Sequence, residues 1–148
     1  MVDETPFLKL FDTLSGLTDL ELILLKVHLL IEEELTDAIM KKVESPAYLL
    51  NARLTFSNKA SLARAHYDKQ VKPWVWGSIT KLNNIRNRLA HRLTNEEIVS
   101  EMDSFVELVQ NNQPYRVTEG IKLEHPEFFW VSYLVCLAIH EAASNSNA

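Results

Sequence analysis

The sequence has a single cysteine, Cys136, among 148 residues. One cysteine cannot form an internal disulfide framework or a cysteine-rich zinc module, and it suits a reducing cytosol. Glycine and proline are also sparse, at 3 and 5, too few turn formers for a sandwich or barrel of many short strands. No apolar run is long. The longest, Phe128 to Ile139 interrupted by Ser132, is about twelve residues against the ~20 that cross a bilayer. The first residues, Met1-Val2-Asp3-Glu4, are acidic where a secretory leader would be basic. The expectation is one soluble, cytoplasmic domain spanning 1–148, with no membrane partner.

Acidic residues are scarce in the middle of the chain. The net charge of −5 conceals three blocks. Residues 1–44 hold 4 Lys/Arg and 10 Asp/Glu, residues 45–92 hold 9 and 1, and residues 93–148 hold 2 and 9. From Lys69 to Arg92 there are six basic residues and one histidine without any acid. Such a segment is either a polyanion site or a helix paired with acidic neighbours.

Helical signals account for most of the chain. Thr18-Asp19-Leu20-Glu21 has capping-box spacing with Thr18 as N-cap, opening a helix to about Val43 that stops before Ser45-Pro46. Leu20, Ile23, Leu24, Val27, Leu30, Ile31, Leu35 and Ala38 follow the helical period. A shorter helix is expected from Phe7 to Leu14, one turn at Pro46 to Leu50, and a helix capped by Ser57 running to Tyr67. Pro73 opens a long helix to about His91, Thr94-Asn95-Glu96-Glu97 caps the next, and Pro126 starts the last. A short extended piece is expected at Tyr115-Arg116-Val117. The fold class is all-α, a single-domain bundle of four to five main helices.

The informative stretch is Asn83-Asn84-Ile85-Arg86-Asn87-Arg88-Leu89-Ala90-His91. With Val75 as zero on the helical wheel, Arg86 falls at about 20°, inside the apolar stripe, where a guanidinium requires an anionic partner. Asn83, Asn87 and His91 fall at about 80°, 120° and 160°, forming a polar ladder along one edge. Glu34 lies on the apolar stripe of the first long helix and is the candidate partner for Arg86. Arg86 and His91 are about 140° apart, too far to touch on a regular helix. The residues alone leave two readings open. Arg86 either bonds an acid on a neighbouring helix while His91 caps the helix C-terminus, or both belong to a site.

Arg86-Asn87-x-x-Ala90-His91 near the end of a long helix resembles the signature of the HEPN superfamily: an arginine, a polar residue directly after it, and a histidine. Trp74-x-Trp76 and the later capping box add to the resemblance, which covers roughly residues 15–110. It implies a HEPN-like fold and a metal-independent endoribonuclease without cofactor, often the toxin of a toxin–antitoxin or phage-defence system. RNA, a second copy of the chain and an antitoxin protein are the implied partners. Carried onto this chain, His91 acts on the ribose 2′-hydroxyl or the leaving 5′-oxygen; an imidazole titrates near neutrality. Arg86 neutralises phosphate charge, and Asn87 orients the imidazole or bonds a phosphate oxygen. Asn83, Arg88 and Glu34 support them. A 2′,3′-cyclic phosphate product follows. The alternative is a catalytically silent HEPN-like interaction or regulatory module.

Other constellations carry less. His28 and Glu32 have the spacing of two metal ligands, but no second histidine pair exists to complete a site. Cys136 is expected as a buried thiol. Trp74 and Trp76 are either base-stacking platforms or core and interface anchors.

Overall fold

A computed structural model of the chain describes residues 5–114 and 118–145; the piece expected at 115–117 lies outside them. Among the described residues every regular element is helical: α1 (Thr5–Leu14), α2 (Leu20–Met40), α3 (Pro46–Leu50), α4 (Phe56–Tyr67), α5 (Pro73–Leu89), α6 (Asn95–Asn112) and α7 (Pro126–Asn145). Five of these, α2 and α4 to α7, have 12 residues or more. The all-α expectation holds.

Capping chemistry sets most boundaries. Thr94 and Glu97 make the reciprocal capping box at the start of α6. At α2 the cap is Asp19 rather than Thr18: its carboxylate accepts from the Leu22 N–H at 2.9 Å. Aspartate is as good an N-cap as serine and places the helix start one residue later. At α4 the cap is Thr55, paired with Asn58, and Ser57 lies inside the first turn. An asparagine at the third helical position completes this box where a glutamate or glutamine is usual.

α2 is the axis of the molecule and packs against α1, α4, α5, α6 and α7. This accounts for its wide apolar stripe, although Leu22 and Leu29 in its first half are exposed. α7 is similar, since no residue from Phe128 to His140 is exposed. One continuous core joins all five long helices, with Leu24, Ile31, Leu35, Phe105 and Phe129 fully enclosed. Cys136 sits in that core as expected, and burial pushes its thiol well up from the ordinary range.

The end of α2 has an unusual seal. Its last carbonyls have no helical partner, and the Tyr67 hydroxyl, from the end of α4, donates to the Ala38 carbonyl at 2.7 Å inside the core. Tyr67→Phe leaves that carbonyl without its donor, and a loss of about 1–2 kcal/mol is expected. Chemical denaturation with an unchanged m-value checks it; a loss below about 0.3 kcal/mol would show that the carbonyl finds water.

Candidate functional site

α5 carries the motif, and its buried face turns along its length. Val75, Ser78, Leu82, Ile85 and Leu89 are buried at alternating steps of three and four. That 3.5-residue period drifts about 20° per heptad against a straight helix. By the last two turns the buried arc is centred on Leu82, Ile85 and Leu89, and Arg86 has moved out of it. Arg86 is therefore exposed, not enclosed in the apolar stripe as the wheel anchored on Val75 suggests.

The pairing expected between Arg86 and Glu34 does not form. Glu34 Oε2 lies 3.2 Å from His140 Nδ1 of α7, and Arg86 holds no ion pair among the described residues. α2 is buried on several sides, and Glu34 faces α7 and α1 while α5 lies elsewhere around the axis. Burial raises the Glu34 carboxyl above its usual range, opposed by the neighbouring His140. Glu34 thus has no direct part in the motif.

The remaining candidates gather at the C-terminal end of α5. Asn87, Arg88, Ala90, His91 and Arg92 are exposed, and Asn83 is half-buried. α5 ends at Leu89, so His91 lies in the turn beyond it, with its backbone N–H bonded to the Arg88 carbonyl. Arg92 closes the turn in the left-handed region at φ 54°. Helical phase no longer governs where the His91 ring points. Arg88 is tied to Glu101 of α6 by an ion pair, which fixes the turn against the next helix and gives this arginine a structural role. Among the described residues Arg86, Asn87 and His91 make no side-chain hydrogen bond. The tryptophans lie near the other end of α5, with Trp76 buried and Trp74 half-buried. About 18 Å separates residue 74 from residue 86 along the helix, and Trp76 is a core anchor, not a base-stacking platform.

One residue of this region was visible in the sequence only as half of a metal pair. His28 of α2 is 7% exposed; its Nε2 lies 3.1 Å from Asn83 Oδ1, and its ring stacks on Phe56 at 4.1 Å. Glu32 is occupied by Lys59 at 2.9 Å. The signal was its phase, because His28 shares a face with Leu24 and Leu35, and a polar group there requires a partner.

Burial lowers the His28 pKa from its ordinary 6.5, and the Arg86 charge acts in the same direction; the Asn83 bond and Glu32 oppose them. The charged groups around the ring are Glu32 on its own helix, Lys59 on α4 bonded to Glu32, and Arg86 on α5. Above pH 6.5 the imidazole is neutral in both folded and unfolded chains. Below it the unfolded chain takes the proton more readily, so this contribution to stability is lost as pH falls through the lowered value. Melting temperature is expected to drop on going from neutral pH into this window, and to drop less in His28→Gln. Equal slopes for the two proteins would refute the assignment.

No family model, curated protein or solved structure matches this chain.

Proposed function

We propose that the protein is a HEPN-like endoribonuclease whose working groups are Arg86, Asn87 and His91, acting in a cleft formed by two copies of the chain. The observation that carries this reading is that these three polar side chains are exposed and, among the described residues, bonded to no other side chain. They stand within a segment of six cations and no acid. Arg88 pairs with Glu101 and Arg64 with Asp68. Among the described residues Arg86 has no ion pair, so it stays available to an anion.

The chemistry proceeds by attack of the ribose 2′-oxygen on phosphorus while the bond from phosphorus to the 5′-oxygen breaks. One imidazole takes the 2′-hydroxyl proton and an imidazolium gives a proton to the departing 5′-oxygen. Two copies supply both groups from two His91 side chains. Arg86 offsets the charge that accumulates on the non-bridging oxygens. A pair of basic helices repels itself, so the interface needs apolar surface. Trp76 and α7 are enclosed and offer little. Leu22 and Leu29 on α2 are exposed, and α2 is bonded to α5 at the level of the motif through His28 and Asn83. A role as toxin or defence nuclease with an antitoxin partner belongs to the same proposal.

The test is incubation of purified protein with total RNA in EDTA, with end-group analysis of the fragments. Fragments ending in 2′,3′-cyclic phosphate, and an untouched all-deoxy substrate, are the expected result. Intact RNA would leave the silent-module alternative. Light scattering showing a monomer at tens of micromolar would reject the two-copy cleft.

A further inference from the structure

His28 is a polar side chain more than nine-tenths buried, and its one side-chain hydrogen bond among the described residues leads toward the motif. Two contacts fix it. The ring lies against Phe56 with 25° between planes, and Nε2 is 3.1 Å from Asn83 Oδ1. A carboxamide oxygen only accepts, so Nε2 carries the proton and donates. With Oδ1 bonded to His28, the Asn83 amide nitrogen is the other branch of the carboxamide. Its two N–H donors, on this half-buried residue, have no hydrogen-bond partner among the described residues.

Arg86 is three residues on, a neighbour of Asn83 on the helix surface, and its charge is felt at His28. The edge therefore combines a guanidinium with a fixed amide donor. The acid nearest in sequence to His28, Glu32, is neutralised by Lys59. A guanidinium beside an amide donor, with the nearest acid already neutralised, fits an anionic oxygen.

We infer that His28 is a positioning residue that holds the Asn83 amide beside Arg86, and that Asn83 and Arg86 together seat a backbone phosphate of RNA. The inference takes its ligand class from the ribonuclease reading, but it concerns binding and stands apart from cleavage. Asn83 touches the phosphate, and His28 acts only through Asn83. Without the donor at position 28 the carboxamide rotates freely, and its amide faces the phosphate only part of the time.

The experiment measures binding of a fluorescein-labelled single-stranded oligonucleotide with 2′-O-methyl riboses, which cannot be cleaved by 2′-oxygen attack, in EDTA at low salt. His28→Phe keeps a flat ring against Phe56 and removes the donor. Binding is expected to weaken about tenfold, the loss of one hydrogen bond to a charged group. His28→Gln restores a donor and is expected to restore binding to within about threefold. Asn83→Asp keeps the acceptor that His28 needs but replaces the amide donor with a carboxylate beside Arg86. It is expected to weaken binding at least tenfold with little change in melting temperature. Arg86→Gln reduces the salt slope by about 0.7, as loss of one cation from a single strand should, whereas His28→Phe leaves the slope unchanged.

Wild-type affinity in His28→Phe, or equal weakening in His28→Gln and His28→Phe, would overturn the inference, the second because it describes a merely structural histidine. A wild-type protein that does not bind the oligonucleotide would overturn it as well. If His28→Phe fails to fold, Asn83→Asp decides alone: wild-type affinity there removes the seat. Cleavage of ordinary RNA separates the two proposals. Binding of the methylated strand without any cleavage defeats the ribonuclease reading and leaves the seat standing. Cleavage by Asn83→Asp at wild-type KM defeats the seat and leaves the ribonuclease reading standing.

Discussion

Replacing His91 by alanine is expected to lower the rate of RNA cleavage by ~10²–10⁴ while leaving the fold as it is, since a positioned acid–base group contributes a factor of that order. The stability half of the expectation follows from its place. His91 is exposed in the turn after α5, and only its backbone N–H enters the hydrogen-bonding of that turn. Substitutions at such positions change stability by about 0.5 kcal/mol or less. Single-turnover cleavage in EDTA and a thermal melt together read the two halves. A variant that cleaves as fast as wild type removes His91 from the chemistry. A variant that melts far below wild type shows that the imidazole has a structural partner. In a two-copy cleft, mixing His91→Ala with Arg86→Gln protein has a further expected result. Each mixed dimer keeps a single His91 where the reaction uses two, so no activity should return.

The largest loss of stability is expected at Phe129. Its ring is fully enclosed and meets Phe7 at 5.3 Å and Phe11 at 6.0 Å, both nearly perpendicular at 87°. These edge-to-face contacts join α7 to α1. Phe129→Ala removes the ring and leaves a cavity that α1 and α7 cannot close without abandoning Lys9–Glu33 and Glu34–His140. A cost of about 3–5 kcal/mol is expected. For a chain of this length that is a fall of about 10 °C in melting temperature. Calorimetry showing a shift below about 3 °C would mean that the two helices collapse onto the space.

The architecture was legible where the signal is local. Proline at the starts of α5 and α7 and the Thr94–Glu97 box mark helix ends through chemistry confined to a few residues, and the helices begin there. Thr18 and Ser57 were misassigned because Asp19 and Thr55, each close by, cap equally well. The site was legible in composition but not in geometry. An angle measured from Val75 accumulates error along about three turns, enough to put Arg86 on the wrong side of the boundary between core and water. Glu34 shows a different obstacle. Its phase correctly marks it as enclosed, but α2 is enclosed by five helices, so phase alone cannot say which one it faces. His140 was its partner, and nothing near either residue in the sequence announces the other. His28 combined both difficulties. Its burial was written in its period, whereas its bond to Asn83, 55 residues away, depends on how two long helices pass each other.

Arg92 occupies a conformation in which a side chain costs about 1–2 kcal/mol and glycine costs little. A library of all substitutions at this position would be ranked differently by two selections. Scored for cellular abundance, glycine and asparagine should rise to the top and valine, isoleucine and threonine should sink, because only backbone tolerance of φ 54° matters. Scored for RNA degradation, arginine and lysine should lead, since the position is next to His91 in the basic segment and its cation adds to the attraction for a polyanion. Opposite orders in the two selections would mark a residue kept for its charge against the preference of the backbone it sits on.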